Sequence, residues 1–227
     1  MITTVVFDLD DTLYNETDYC KSGFLAVSDY LSQKPPYPDK NRLFEAFWSQ
    51  FTAGQHNYLF DTVLATLNLP CEPALIQELV TVYRNHSPAI KLPDSSKRLL
   101  DSLKSKYDLA LLTDGFMPAQ KLKVQALGIE SYFKCIIYTE LLGRQYWKPS
   151  TVGFEKLIAE MRAAAENCVY LGDNPVKDFL PGNKLGFKTV QLRCPSSIHN
   201  LPAPEDAAKP QYIIDSLDQL EELLTTL

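Results

Sequence analysis

The sequence FDLDDTL at residues 7–13 places three aspartates, Asp8, Asp10 and Asp11, at the end of an apolar run. The preceding residues, TTVV at 3–6, are typical of a buried strand. Like charges repel one another and burial penalises each of them, so such a cluster needs a compensating cause. A bound cation, or a reaction that uses two carboxylates on one face, would supply that cause.

Short apolar runs recur along the chain and predict a parallel sheet. They are almost continuously apolar rather than alternating, as in strands that are covered on both faces. We expect strands at 3–10, 107–114, 135–140, 167–173 and 187–192, with a further edge strand at 211–215. Helical segments separate or follow the later runs, at 117–128, 149–167, 175–186 and 216–227. This alternation predicts an α/β fold with a Rossmann-like, doubly wound parallel sheet.

The segment 16–91 interrupts the alternation, because it contains four patterns of helical apolar spacing and no convincing strand. A connection of this length is too long for a simple crossover and too regular for a loop. We therefore expect an all-helical subdomain at 16–91, inserted into an α/β core domain formed by 1–15 and 92–227. Its aromatic residues are interpreted as core rather than as a binding surface.

Composition argues against several classes of partner. The 227-residue chain has a net charge of −6 and no basic stretch, which argues against nucleic-acid binding. No apolar run approaches the roughly 20 residues of a membrane span, and the N-terminal run is not typical of a signal peptide. The five cysteines are scattered, as expected for reduced thiols. We therefore expect a cytoplasmic monomer or homodimer whose partner is a small molecule, with no nucleic acid and no membrane.

Polar residues follow the predicted strands where each strand ends. They are Asp8 and Asp10 after the first, Thr113, Asp114 and Gly115 after the second, and Asp173, Asn174 and Asp178 after the fourth, with Lys148 ahead of a helix. In open parallel sheets, ligands bind beyond the carboxyl ends of the strands. Carboxylates there suit Mg²⁺, and a lysine, a hydroxyl and backbone N–H groups suit an anion. Together they could bind and stabilise a transferring phosphoryl group.

The spacing of Asp8 and Asp10 leaves two chemical readings open. Residues i and i+2 of an extended chain point to the same side, so both carboxylates can face one cleft. Either the two share one proton, or one is a nucleophile beside a metal while the other carries a proton.

These residues resemble the four motifs of the haloacid dehalogenase-like (HAD) superfamily of hydrolases, in its helical-cap phosphatase subgroup. The first motif, D-x-D-x-T, is matched by Asp8 to Thr12, and the second, a strand-ending Ser or Thr, by Thr113. The third, a lysine near a helix start, is matched by Lys148. The fourth, G-D-x-x-x-x-D, is matched by Gly172-Asp173 through Asp178.

The resemblance implies a role for each catalytic residue. Asp8 would be the nucleophile that forms an aspartyl-phosphate, and Asp10 the acid that protonates the leaving group and then activates water. Thr113 would bind the phosphoryl oxygens. Lys148 would hold both Asp8 and the phosphate.

The resemblance also implies a Mg²⁺ cofactor. Its ligands would be Asp8, the backbone carbonyl of Asp10, and Asp173. Asp178 would be either a direct ligand or an acidic residue that acts through water or Lys148.

Further residues are candidates for substrate binding. Thr12 is typical of the hydrolases rather than of the sugar-phosphate mutases of the family. Asp114 is expected as a turn residue, and the backbone after Thr113 could hold anionic oxygens. The candidate substrate-binding residues are Thr12, Asp114, Gly115, Tyr14, Asn15 and His56. The helical insert resembles the family's cap, which would close over the site and exclude water.

The function expected from this resemblance is Mg²⁺-dependent hydrolysis of a small phosphomonoester, such as a sugar phosphate or a nucleoside monophosphate. Two alternatives stay open. One is a phosphomutase of the same superfamily, which returns the phosphoryl group to its substrate. The other is a member that binds a phosphorylated ligand without turnover, although retention of both Asp8 and Asp10 argues against it.

Overall fold

The computed structural model describes residues 1–193 and 201–227, and they form two compact units. The first consists of Met1–Glu16 together with Lys91–Leu227, and the second of Thr17–Ile90. Cys194 lies outside the described residues. So do positions 195–200 of the stretch 195–210, whose four prolines predict a surface loop.

The second unit is built from helices alone among its described residues. Its helices are α1 (Glu16–Ser32), which starts on the last residue of the first unit's N-terminal segment, α2 (Lys40–Thr52), α3 (Leu59–Thr66) and α4 (Pro73–Asn85). Asp39 caps α2 by accepting hydrogen bonds from two backbone N–H groups of its first turn. The ring of Phe24 lies 5.5 to 6.3 Å from those of Phe47, Phe51, Phe60 and Tyr83. Phe24, Phe47 and Phe51 are buried in the core of the unit, as predicted for its aromatic residues, whereas Phe60 and Tyr83 are half-buried around them.

The first unit contains a parallel sheet that confirms the predicted fold class. Its six strands among the described residues are β1 (Thr4–Phe7), β2 (Asp108–Thr113), β3 (Cys135–Tyr138), β4 (Cys168–Gly172), β5 (Lys188–Leu192) and β6 (Tyr212–Ile214). Their order in the sheet is β3-β2-β1-β4-β5-β6, and every neighbouring pair is parallel. Thr4 of β1 is in register with Asp108 of β2 and Cys168 of β4. The carboxyl ends of β1, β2 and β4 are therefore adjacent.

Helices complete the first unit. They are α5 (Asp94–Leu103), α6 (Ala119–Leu127), α7 (Val152–Met161), α8 (Phe179–Leu185) and α9 (Asp218–Thr226). On one face of the sheet, the ring of Phe154 from α7 lies 4.8 Å from that of Tyr170 and 5.5 Å from that of Phe187. All three side chains are fully buried, so this cluster is a large part of the core.

Three helical details differ from the sequence prediction. The helix expected over 149–167 ends at Met161, because Arg162 takes a left-handed conformation with φ 52°. Helix α8 begins only at Phe179, which places Pro181 in its first turn, where a missing N–H breaks no intrahelical bond. Helix α5 was not predicted, although its buried Leu99, Leu100 and Leu103 give it an apolar face.

No helix among the described residues is both long enough and apolar enough to cross a membrane.

Candidate active site

Three of the predicted catalytic and metal-binding residues lie at one edge of the sheet. Asp8 directly follows β1, Thr113 ends β2, and Asp173 directly follows β4. The backbone N–H of Asp8 donates to the carbonyl oxygen of Leu171 at 2.8 Å, which extends the sheet pairing up to the aspartate itself. The hydrogen bonds of the sheet thus fix the backbone positions from which these side chains extend.

Lys148 is the buried cation at the centre of the site. Its Nζ lies 2.8 Å from Asp8 Oδ1, 2.8 Å from Asp178 Oδ1 and 2.9 Å from the hydroxyl of Tyr170. Its side chain is only 1% exposed. Burial alone would lower the pKa of Lys148, but the Asp178 and Asp8 carboxylates outweigh burial and raise it well above the usual value. Lys148 is therefore a fixed positive charge beside Asp8.

Asp8 is a carboxylate with one engaged oxygen. Oδ1 accepts a hydrogen bond from Lys148, whereas Oδ2 is buried and has no hydrogen-bond partner among the described residues. Burial raises the pKa of Asp8 to about 6, against the opposing effect of the Lys148 charge. A buried, unpaired carboxylate oxygen is costly unless it serves a ligand or a reaction. Oδ2 is thus the atom that a cation or a phosphorus atom would meet.

Three buried carboxylates form a group that fits a divalent cation. One oxygen each from Asp8, Asp173 and Asp178 lies within 4.8 Å of the others. Together with Lys148 they carry a formal net charge of −2, which a divalent ion would neutralise. Oxygen donors of this kind are those that Mg²⁺ prefers. The chemistry of the donor set and the unpaired Asp8 oxygen both fit the ion.

Asp178 is the most heavily engaged member of this group. Its Oδ1 contacts Lys148 and the hydroxyl of Tyr170, and its Oδ2 accepts the backbone N–H of Asn174 at 2.9 Å. Burial opposes ionisation, but the charge of Lys148 keeps the pKa of Asp178 below its usual value. These contacts favour the indirect role foreseen for Asp178, in which it holds Lys148.

Asp10 lies in a different environment. Its Oδ1 accepts hydrogen bonds from the Tyr14 hydroxyl at 2.6 Å and from Lys123 Nζ at 2.7 Å. Its Oδ2 accepts one from the Gln120 amide at 2.9 Å. Burial opposes ionisation, but the Lys123 charge and these hydrogen bonds lower the pKa of Asp10. The Asp10 carboxylate is not part of the three-carboxylate group. This agrees with the expectation that Asp10 would contact the ion through its backbone carbonyl.

Lys123 also reaches Glu16, the first residue of α1. Their charged groups are 3.7 Å apart, and the Lys123 side chain is only 4% exposed. Burial, reinforced by the negative charge of Asp10, raises the pKa of Glu16 to about 7. The backbone N–H of Glu16 donates to Asp11 Oδ1 at 2.8 Å. The positive charge of Lys123 therefore balances two carboxylates, those of Asp10 and of Glu16.

Thr113 is linked to Asp10 through one side-chain amide. The Nε2 of Gln120 donates to Thr113 Oγ1 at 2.6 Å and to Asp10 Oδ2 at 2.9 Å. Gly115 makes room for this amide, since a Cβ there would lie 2.7 to 2.9 Å from Gln120 side-chain atoms. Gly115 also has φ +139°, which side chains rarely adopt.

Asp114 does more than form a turn. Its carboxylate accepts a hydrogen bond from the Thr139 hydroxyl at 2.7 Å and is approached by the backbone N–H of Lys148 at 3.1 Å. The residue after β2 thus anchors the backbone that carries the central lysine.

The other predicted substrate-binding residues of the first unit lie away from the Asp8 cluster. The Thr12 hydroxyl is buried and has no partner among the described residues. Thr12, Tyr14 and Asn15 together line a cavity of about 300 Å³ in this unit, whose lining does not include Asp8. His56 is exposed in the helical unit, with its ring 4.9 Å from that of Phe51. Substrate binding by these residues stays a prediction.

Sequence reasoning missed Gln120, Lys123, Glu16 and Tyr170. A signal for the first two does exist in the sequence. Gln120 and Lys123 share the buried face of α6 with apolar side chains such as Val124. A glutamine and a lysine at core positions of a helix are unusual and mark a polar partner inside the fold.

Comparisons with known proteins find phosphatases among the relatives of this chain. A curated glyceraldehyde 3-phosphate phosphatase of Methanocaldococcus jannaschii is 27% identical, covering 100% of this chain and 99% of the relative. A ribulose-1,5-bisphosphate 5-phosphatase of Halopiger xanaduensis is 26% identical, covering 99% and 100% of the two chains.

Among solved structures, the magnesium-bound HAD-hydrolase YfnB of Bacillus subtilis superposes with a TM-score of 0.70, at 22% identity and with 98% of each chain covered. The likeness to YfnB supports the fold. A sequence model of the haloacid dehalogenase-like hydrolases matches residues 2–186, which is most of the chain. The chain therefore belongs to the haloacid dehalogenase-like hydrolases.

Proposed function

We propose that the chain is a Mg²⁺-dependent phosphomonoesterase that transfers the phosphoryl group of a small metabolite to Asp8 and then to water. The observation that carries the proposal is the state of the Asp8 carboxylate. Its Oδ1 is fixed by Lys148, and its buried Oδ2 has no partner among the described residues. An immobilised carboxylate with one oxygen held and one available is suited to nucleophilic attack on phosphorus.

The side chains divide the reaction between them. The reaction begins with Asp8 ionised and Asp10 protonated. In the first step, Asp8 Oδ2 forms a bond to phosphorus while the bond from phosphorus to the leaving oxygen breaks, and Asp10 gives that oxygen its proton. In the second step, Asp10 takes a proton from water as the water oxygen bonds to phosphorus, which releases Asp8 and inorganic phosphate. Lys148 and Thr113 hold the phosphoryl oxygens in both steps.

Asp8, Asp173 and the backbone carbonyl of Asp10 would hold the metal, with Asp178 acting through Lys148. When bound, Mg²⁺ would supply positive charge that stabilises the anionic phosphoryl oxygens. The three carboxylates outnumber the cations Lys148 and Lys177 that act on them, so without the metal the site would repel a phosphate dianion, and we expect an absolute requirement for a divalent cation.

The substrate is proposed to be a small phosphorylated metabolite. The names of the two archaeal relatives point to sugar phosphates of three to five carbons. A nucleoside monophosphate is a further candidate of similar size. We further propose from the sequence that residues on the helical unit, His56 among them, set the substrate specificity. We also propose that the protein is cytoplasmic and is a monomer or a homodimer.

The proposal is tested by measuring phosphate release from a panel of phosphorylated metabolites. The panel contains glyceraldehyde 3-phosphate, ribulose 1,5-bisphosphate, a pyrimidine nucleoside monophosphate and p-nitrophenyl phosphate, each assayed with Mg²⁺ and with excess chelator. We expect steady release with Mg²⁺ and none with chelator. No release from any substrate, or appreciable turnover in chelator, would contradict the proposal. Isomerised phosphate ester without free phosphate would indicate a mutase.

A further inference from the structure

Helix α6 presents two polar side chains to the candidate active site, although neither belongs to a motif that the sequence identified. Gln120 is 2% exposed and Lys123 is 3% exposed, and the two are three residues apart on one face of the helix. Both contact the carboxylate of Asp10, at 2.9 Å and 2.7 Å. Burying a lysine and a glutamine is costly, so their placement needs a compensating interaction or a task.

The two oxygens of the Asp10 carboxylate accept different numbers of hydrogen bonds. A carboxylate offers about two acceptor positions on each oxygen. Oδ1 uses both of its positions, since it accepts from the Tyr14 hydroxyl at 2.6 Å and from Lys123 at 2.7 Å. Oδ2 accepts only from Gln120 among the described residues. One position on Oδ2 is thus left for a proton.

Gln120 performs a second task at the same time. Its two amide hydrogens point to different acceptors, since Nε2 lies 2.9 Å from Asp10 Oδ2 and 2.6 Å from Thr113 Oγ1. Thr113 Oγ1 accepts this bond, and its own hydroxyl hydrogen is directed to the Asp114 carbonyl oxygen at 3.4 Å, a long contact that a phosphoryl oxygen would replace. The same amide therefore sets the orientation of the proton carrier and of a hydroxyl that would bind phosphoryl oxygens.

We propose that Lys123 and Gln120 are positioning residues, which lock the Asp10 carboxylate so that Oδ2 delivers the proton to the leaving oxygen. Lys123 acts with Tyr14 on Oδ1, and Gln120 aligns Oδ2 with Thr113. This inference rests on the proposed function of Asp10 as the acid of phosphoryl transfer. In this proposal, side chains of α6 orient the carboxyl group of Asp10.

A positioning role differs from a merely structural one in its dependence on the leaving group. p-Nitrophenolate is a stable anion that departs without a proton, whereas the alkoxide of a sugar phosphate needs one. If the carboxyl group of Asp10 is no longer held in the correct orientation, the cleavage of alkyl phosphates should therefore slow far more than that of p-nitrophenyl phosphate. The ratio of kcat/KM for the two substrates does not depend on the fraction of enzyme that is folded, so a stability defect leaves it unchanged.

The experiment compares Lys123→Met with Lys121→Met, which removes the same charge from an exposed position of the same helix. Both are assayed on p-nitrophenyl phosphate and on the fastest sugar phosphate of the panel. For Lys123→Met we expect kcat/KM to fall about 100-fold on the sugar phosphate and at most about fivefold on p-nitrophenyl phosphate. Lys121→Met should match wild type on both, and Lys123→Arg should recover part of the loss.

Gln120→Met and its exposed counterpart Gln125→Met form a second matched pair that changes no charge. We expect Gln120→Met to lower kcat/KM on both substrates, because Thr113 is released, with a further loss of about tenfold on the sugar phosphate. Gln125→Met should match wild type.

Equal losses on the two substrates in both Lys123→Met and Gln120→Met would overturn the inference and leave a structural role. If either variant is too unstable to purify, the other decides the question. Failure of the wild-type enzyme to hydrolyse either substrate would instead overturn the proposed function itself.

Discussion

Asp8 and Asp10 are two residues apart in the chain, yet their surroundings shift their acidity in opposite directions. Asp8 is buried with one oxygen unpartnered among the described residues, and its pKa is raised to about 6. Asp10 is held at both oxygens by three donors, and its pKa is lowered. Burial acts on both, so the difference lies in the neighbours. Lys148 lies 2.8 Å from both Asp8 and Asp178, whereas Lys123 lies 2.7 Å from Asp10 and 3.7 Å from Glu16, and Asp10 has two neutral donors besides.

The comparison shows how one short motif places two identical side chains in different electrostatic surroundings. The proposed roles need the opposite proton occupancy from the one these pKa shifts favour in the metal-free protein, because Asp8 must be ionised to attack and Asp10 must be protonated to act as an acid. A divalent cation held by Asp8 would lower the pKa of Asp8, and a phosphate dianion beside Asp10 would raise that of Asp10. The lysine of the Asp8 cluster follows β3, and that of the Asp10 cluster lies on α6, so the fold gives each aspartate its own cation.

The largest expected effect is that of Asp8→Asn. An amide cannot attack phosphorus, so we expect kcat/KM to fall by at least about 1,000-fold on every substrate, p-nitrophenyl phosphate included. At pH 8 the free energy of unfolding should rise by about 1 kcal/mol. The reason is that the substitution removes the Asp8 carboxylate, whose ionisation is made unfavourable by burial. Phosphate release and urea denaturation are the measurements.

Asp11→Asn is the matched control for this substitution. Asp11 belongs to the same motif, has φ 54° and accepts the backbone N–H of Glu16. Asparagine tolerates this conformation and can accept the same bond, so activity should be close to that of wild type. Substantial activity in folded Asp8→Asn would remove Asp8 from the reaction.

The second effect separates the two aspartates. Asp10→Asn should lower kcat/KM on a sugar phosphate by about 100- to 10,000-fold and much less on p-nitrophenyl phosphate, because only the alkoxide needs a proton. Unlike Asp8→Asn, it should destabilise the fold by about 1 to 3 kcal/mol, since Lys123 loses its nearest anion and keeps only Glu16 at 3.7 Å. A stability loss in Asp8→Asn that equals that of Asp10→Asn would erase the contrast.

The third effect concerns metal binding. Asp8 must be ionised to hold Mg²⁺, and its pKa of about 6 in the metal-free protein means that protons compete below that pH. The apparent affinity for Mg²⁺ should be nearly constant above pH 7 and fall by up to about tenfold for each pH unit below 6. Isothermal titration calorimetry in two buffers would detect the released proton. An affinity that stays constant from pH 7 to pH 5 would contradict the assignment.

The smallest effect tests Glu16, the second partner of Lys123. The pKa of Glu16 is raised from 4.5 to about 7, so protonated Glu16 stabilises the folded protein at low pH, and this contribution is lost as the pH rises through about 7. Relative to Glu16→Gln, the wild type should lose about 1 to 3 kcal/mol of unfolding free energy between pH 4.5 and pH 8. Urea denaturation measures the difference, with exposed Glu155→Gln as control. Parallel pH profiles of wild type and Glu16→Gln would show that Glu16 is not perturbed.

Much of the fold could be predicted because its signals are local. Strands covered on both faces are continuously apolar, and the run before Asp8 and that before Thr113 show this pattern clearly. The order of the strands places their carboxyl ends together, so Asp8, Thr113 and Asp173 could be expected at one edge. The resemblance to the family then named the nucleophile and the proton carrier.

The rest depends on contacts between residues that are distant in the sequence. Lys123 and Asp10 are separated by 113 positions, and Gln120 and Asp10 by 110, so no short window contains either pair. The spacing of Asp8 and Asp10 predicted a common cleft, but it could not predict that their carboxylates pair with different lysines. The placement of Gln120 and Lys123 of α6 beside Asp10 determines that.

The central claim is that Asp8 accepts the phosphoryl group while Asp10 handles the protons. The most direct measurement is mass spectrometry of acid-quenched Asp10→Asn enzyme after incubation with p-nitrophenyl phosphate and Mg²⁺. This substrate transfers its phosphoryl group without an acid, and the variant cannot activate water, so the intermediate should accumulate. We predict one phosphoryl group on the peptide that contains Asp8, removable by hydroxylamine and absent from Asp8→Asn. Release of p-nitrophenol without that modification, or with a phosphoryl group on another residue, would contradict the account.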